Sequence, residues 1–147
     1  GVPYISLRQT NTYGRTKSNF FVTESIISQT LSSKIISLGY NMPYRNFIYI
    51  DDLLTLYEII IEQHVSIPSG HYCIGPNNPI QIDDYVKKIA KMINWSGVIN
   101  WDTRPERLGE IYYLSSTNYL LTTHTGWDPT TTLDEGLERT IKAWKNM

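Results

Sequence analysis

The sequence predicts an α/β fold, and three observations lead there. Strand-like alternation and helix-like periodicity take turns along the chain, and the breaks between them are short and rich in Gly, Pro and Asn. The length of 147 residues, with 41% hydrophobic and 18% charged, suits one compact unit with a real core.

Val2 to Arg8 alternates and carries Val, Tyr, Ile and Leu, so a first strand is expected there, ending in polar Gln9 to Asn11 where a ligand could be met. A strand that opens a chain needs neighbours on both edges. Val22, Ile26, Ile27 and Leu31 recur at helical spacing, which predicts a helix over Thr23 to Ser33. Ile35 to Leu38 then gives a short strand and Gly39 a turn. Asn46 to Ile50 alternates again, and Asp51 and Asp52 open a helix to Gln63, where carboxylates suit the positive end of the helix dipole. That helix is apolar on most faces, so it is expected to be buried.

His71 to Ile74 reads as a strand, stopped by the loop-forming cluster Gly75-Pro76-Asn77-Asn78-Pro79. Ile82, Tyr85, Val86, Ile89, Ala90 and Ile93 mark one face of an amphipathic helix. A short helix around Tyr119 to Thr123 is expected to end at Gly126. Thr132 and Glu135 form a capping-box pattern ahead of a last helix whose stripe is Leu133, Leu137, Ile141 and Trp144.

Composition removes several function classes. A formal net charge of -1 leaves no basic excess to neutralise phosphates, which argues against nucleic acid as a partner. The longest apolar stretch, Leu53 to Ile61, is broken by Thr55 and Glu58 and falls far short of the ~20 residues that span a bilayer. The lone Cys73, between Tyr72 and Ile74, reads as a buried strand thiol and suits a reducing cytoplasm. His64, His71 and His124 have no carboxylate or cysteine at ligand spacing, so no metal site is expected. Trp95, Trp101, Trp127 and Trp144 sit at element ends or on apolar stripes, where core or subunit-contact roles outweigh base stacking. The opening Gly1-Val2-Pro3, with no Met, reads as a fragment boundary.

Tyr13 to Lys17 spells Y-x-x-x-K, the spacing that in short-chain dehydrogenases sets a catalytic Tyr one helical turn from a supporting Lys. The Lys would lower the Tyr pKa so that the phenolate can move a proton during hydride transfer, which requires both side chains on one helix face. Gly14 interrupts any helix there and a strand precedes it. The catalytic reading is therefore rejected, and no catalytic residue is assigned to this chain.

A different set of phrases carries the function. Leu7-Arg8-x-x-Asn11-x-Tyr13-Gly14 resembles the sixth core strand of extended short-chain dehydrogenases, the nucleotide-sugar epimerases and 4,6-dehydratases. Arg45-Asn46-Phe47-Ile48-Tyr49-Ile50-Asp51-Asp52 is similar to that family's Arg-Asp-Phe-Ile-x-Val-x-Asp, at the expected distance downstream. Gly70 to Gly75 followed by Asn78 resembles its next strand and loop, and Arg107-x-Gly109-Glu110, Gly126-Trp127-Asp128-Pro129 and Leu133 to Leu137 complete the order. The resemblance covers essentially the whole chain. No glycine-rich dinucleotide loop precedes these phrases.

The resemblance implies the C-terminal part of a Rossmann-type extended short-chain dehydrogenase, with mixed strands and helices forming its nucleotide-sugar-binding portion. Residues 1–147 would be that single portion, and the N-terminal cofactor domain would be absent. Asn11 would touch the sugar diphosphate through its amide, and Arg45 and Arg107 would clamp the diphosphate with planar guanidinium forks. Glu110 would accept from ribose hydroxyls and Asn78 would sit near the base or ribose. Gln9 would lie at the nicotinamide edge of NAD or NADP, a cofactor that the intact enzyme uses and that this chain alone is not expected to hold. The resemblance also implies sugar oxidation at C4 in the intact enzyme, and subunit pairing through helices of the cofactor domain.

Two departures bear on substrate choice: Asn46 stands at the family's usual Asp, and Arg15 where Pro commonly follows Tyr-Gly. The segment Leu38 to Asn41 is faintly similar to GDP-mannose dehydratases, and the base stays open. A free-standing, non-catalytic nucleotide-sugar-binding or interaction module is the alternative reading. Dimerisation through the Val2 to Arg8 edge would favour it.

Overall fold

The computed structural model describes residues 1–101 and 108–147. Three parallel strand pairs and one small mixed sheet carry the architecture. Strand β1 (Ile5–Gln9) is followed at once by β2 (Asn11–Tyr13), and helix α1 (Val22–Ser32) leads to β3 (Ile35–Ser37). Strands β4 (Tyr44–Arg45) and β5 (Phe47–Tyr49) precede α2 (Ile50–Gln63), then β6 (Gly70–Ile74), β7 (Ile80–Gln81) and α3 (Ile82–Ile93). The chain ends with β8 (Val98–Asn100), β9 (Tyr113–Leu114), α4 (Tyr119–Thr125) and α5 (Leu133–Lys145). The first strand is shorter than the alternation from Val2 suggests. It begins at Ile5, where pairing with Gly70 starts.

Strand β1 pairs in parallel with β6, β2 with β5 and β3 with β8. Strand β4 lies between antiparallel β7 and parallel β9. Parallel pairing needs a crossover, and helices supply it: α1 lies within the connection from β2 to β5, α1 and α2 within that from β1 to β6, and α2 and α3 within that from β3 to β8.

Two apolar clusters hold these pieces. The larger gathers Tyr13, Phe47 and Tyr49 from the strands with faces of α1, α3 and α5, and Phe47 stacks on Tyr85 at 4.0 Å. The smaller sets Tyr72 and Ile74 of β6 against Leu53 and Leu56 of α2 and Leu121 of α4. Local chemistry ends the helices where it should. Asn94, at φ 58°, caps α3 and Gly126, at φ 72°, caps α4, both in the left-handed region. The capping box of α5 is complete, with Thr132 Oγ1 accepting from the Glu135 backbone N–H and the Glu135 carboxylate accepting from that of Thr132.

The fold corrects two expectations. Cys73 is exposed, because alternation turns Tyr72 and Ile74 inward and so points the residue between them outward. Helix α2 buries one face only, leaving Leu54 at 52% and Ile61 at 72% exposure. On α1 it is Thr30 that is buried, its hydroxyl bonded back to the Ile26 and Ile27 carbonyls, while Leu31 is exposed. Trp127 is buried, with its indole N–H donating to the Asp52 carbonyl at 3.2 Å, and the other three tryptophans pack partly against the larger core.

Candidate functional site

A cavity of about 610 Å³ opens beside the larger core, bordered by the β1–β2 junction, the start of α1, the segment after β3 and the loop before β9. Each border follows from local sequence. The β1–β2 step carries Gln9 and Asn11 to the wall, since β1 ends against β6 and the chain shifts at Thr10 to pair with β5. Helix α1 brings its N-terminal turn, with Val22 and Thr23 on the wall and no side chain bonded as its cap. Such a helix end offers unpaired backbone N–H groups to an anion.

The polar centre of the cavity is Arg45, the last residue of β4. Its Nη1 donates to the carbonyls of Tyr44 (2.8 Å) and Ile111 (2.6 Å), and its Nη2 donates to Glu110 Oε1 in a short ion pair. The two side chains are 15% and 17% exposed, so the pair is partly shielded from water. Arg45 and Glu110 were each expected to meet a ligand. In this structure they meet each other.

Of the residues singled out by sequence, Gln9, Asn11, Arg45 and Glu110 converge on this cavity. Gln9 is exposed and accepts from the Tyr57 hydroxyl at 3.3 Å. Asn78 is exposed and is not among the lining residues. Arg107 lies outside the described residues.

Sequence reading missed Thr12 and Glu24, took in Thr10 only as part of the polar stretch Gln9 to Asn11, and marked Arg15 only as a departure from Pro. Thr10 and Thr12 line the cavity with buried hydroxyls that have no partner among the described residues. Arg15 stacks its guanidinium over the Phe21 ring at 4.1 Å and donates to the Thr12 carbonyl. Glu24 is fully buried, and its Oε1 accepts from the backbone N–H groups of Gly14 and Arg15, both at 3.0 Å. The departure from Pro at position 15 was the one available signal for this arrangement.

The Y-x-x-x-K spacing has no helix to act on. Tyr13 lies in β2 at 1% exposure, residues 14–21 are non-helical, and Lys17 is exposed. Burial raises the Tyr13 phenol well above its ordinary range, the opposite of what a catalytic phenolate needs. Among the described residues no cluster of His, Cys, Asp or Glu could hold a metal ion, and no helix is long and apolar enough to cross a membrane.

Comparisons with known proteins agree with this frame. The chain is 25% identical over 142 residues to CDP-abequose synthase of Salmonella muenchen, across 95% of this chain and 47% of that protein. Among solved structures, UDP-glucuronic acid 4-epimerase from Bacillus cereus superposes with a TM-score of 0.87 at 23% identity, over 99% of this chain and 46% of that one. UDP-glucose 4-epimerase from Thermotoga maritima gives 0.86 at 18% identity, over 99% and 47%. The chain thus has the α/β fold of these proteins and spans about half the length of the relatives it matches. The sequence model of the NAD dependent epimerase/dehydratase family covers residues 1–75, and with that match the chain belongs to the NAD-dependent epimerase/dehydratase family.

Proposed function

We propose that this chain is the nucleotide-sugar-binding part of an NAD(P)-dependent epimerase or 4,6-dehydratase, a soluble cytoplasmic enzyme that works on a nucleoside-diphosphate sugar. The observation that carries the reading is the convergence of Asn11, Arg45 and Glu110 on one cavity beside the N-terminal turn of α1. These groups offer an amide, a guanidinium, a carboxylate and free N–H donors, which together suit a diphosphate flanked by hydroxyls. The CDP- and UDP-sugar names of the relatives support the substrate class.

The chemistry divides between two parts. When bound, NAD(P) would take a hydride from C4 of the sugar and return it later. The residues of this chain bind and orient: Arg45 and Arg107 would hold the diphosphate, Asn11 would donate to a phosphate oxygen, and Glu110 would receive the ribose. Gln9 would border the nicotinamide. It offers too little to retain the cofactor, so the chain alone is expected to be inactive.

The cofactor domain is the proposed partner, and the free side of β1 supports it. Among the described residues β1 pairs only with β6, and its other edge presents unpaired backbone groups. Leu54 and Ile61 of α2 are also left exposed.

Calorimetric titration of the chain with UDP-, CDP-, GDP- and dTDP-sugars tests the reading. At least one should bind, and Arg107→Ala should weaken it by about tenfold or more, the worth of a charge-assisted contact. Binding that ignores both Arg107→Ala and Arg45→Ala would overturn it.

A further inference from the structure

We infer that Arg15 is a specificity-determining residue whose guanidinium receives a second oxyanion, the carboxylate of an acidic sugar. The inference rests on the nucleotide-sugar reading and names a substrate class within it, the nucleoside-diphosphate uronic acids. Its starting point is a departure visible in the sequence, where Arg15 occupies a position at which Pro commonly follows Tyr-Gly. The fold brings that departure to the cavity wall.

Arg15 is fixed in place at both its backbone and its side chain. Its N–H donates to the buried Glu24 carboxylate at 3.0 Å, and its carbonyl accepts from the Trp144 indole at 2.8 Å. The guanidinium lies over the Phe21 ring, 4.1 Å from the centroid, while Nη1 donates to the Thr12 carbonyl. A long side chain is thus oriented before any ligand arrives, so less freedom is lost on binding. These bonds occupy Nη1 alone. Nε and Nη2 have no hydrogen-bond partner among the described residues, and they form the edge that takes a carboxylate through two parallel N–H bonds. In Arg45 the corresponding edge is already engaged, with Nη2 on Glu110.

Position and charge select the ligand. Residues Gln9 to Thr12 form one continuous wall, and the bond to the Thr12 carbonyl sets the Arg15 guanidinium at its end. With Gln9 at the nicotinamide, the reacting end of the sugar runs along that wall. Thr10 and Thr12 keep buried hydroxyls with no partner among the described residues, a penalty that a ligand bearing acceptors would relieve. At 28% exposure the Arg15 side chain is partly withdrawn from water, so a neutral sugar leaves its open edge poorly satisfied and a carboxylate fills it. A phosphoryl dianion suits the place less. The fully buried Glu24 carboxylate stands 3.8 Å from Nη1, and each further negative charge on the ligand adds repulsion.

The test is a calorimetric titration of this chain with glucose and glucuronic acid, each linked to UDP, CDP, GDP and dTDP. For the base that binds, the unaltered chain should take the acid form about tenfold more tightly than the neutral form. Arg15→Gln keeps the backbone N–H that Glu24 holds. It should cut the preference to about twofold or less and leave the affinity for the neutral form within about twofold. Equal binding of the two forms by the unaltered chain overturns the subsite, whatever the variant does, and leaves the nucleotide-sugar reading standing. An equal loss for both forms in Arg15→Gln also overturns it, because an arginine that only braces residues 14–21 would act that way. If none of these nucleotide sugars binds the unaltered chain, both readings fall together.

Discussion

Gly136→Ala puts the packing behind the site to a quantitative test. A Cβ at position 136 would lie 2.1 Å from the Tyr13 hydroxyl, 2.8 Å from Cζ and 3.1 Å from Cε2. To restore contact distance the ring must retreat by on the order of 1 Å. It has nowhere to go. Tyr13 is 1% exposed, edge-on to Phe47 at 6.3 Å and tilted against Tyr49 at 5.5 Å. Overpacking of this kind costs about 1–3 kcal/mol. Replacing a helical Gly by Ala returns about 1 kcal/mol. The net expectation is a loss of up to about 2 kcal/mol, or as much as roughly 6 °C in Tm, read by thermal and urea unfolding with circular dichroism. Tyr13→Phe alone should be nearly neutral, since its hydroxyl donates only a 3.4 Å bond to the Leu133 carbonyl. Combined with Gly136→Ala it should recover about half the loss, because the closest atom is gone. A stabilised Gly136→Ala, or strict additivity of the two changes, would refute the packing argument.

Other consequences are as open to measurement. Asp52→Ala should destabilise by about 2–3 kcal/mol in urea, because the buried carboxylate accepts from the Thr130 and Thr131 backbone N–H groups and from the Thr130 hydroxyl; Asp52→Asn, retaining one acceptor, should lose less. Burial holds the Tyr13 and Tyr85 phenols above their ordinary range, so the folded state keeps protons that the unfolded chain releases near pH ~10. Stability from these two groups is complete below that pH and falls as pH rises beyond it. Phenolate absorbance from the two should appear together with unfolding; early, independent ionisation would count against their burial. In the intact enzyme, Tyr13→Phe should leave hydride chemistry nearly unchanged.

The parts of the fold that local chemistry determines were legible. Periodicity located α3, the Thr132 and Glu135 capping box announced α5, and Gly126 ended α4, because each signal lies within a few residues of the feature it sets. Strands β4, β7, β8 and β9 escaped reading, since two or three residues carry no alternation and their partners lie far along the chain. The site divides the same way. Phrases around Asn11, Arg45 and Glu110 picked out residues that share a cavity. No spacing rule could reveal that Arg45 and Glu110, 65 residues apart, bond to each other, or that Thr10 and Thr12 keep buried hydroxyls without partners among the described residues. Such pairings exist only once the chain has closed.

That closure has a kinetic side. Strand β1 meets β6 across 65 residues, from Ile5 to Gly70, and β3 meets β8 across 63, from Ile35 to Val98. Relative to a hairpin loop of about four residues, bringing ends together over such a span costs about 2.5 kcal/mol more in loop entropy before any contact forms. Parallel strands joined this way assemble late, after their crossover helices have docked. During that interval the apolar faces of β1 and β6 are open to other chains, so refolding yield should fall as protein concentration rises.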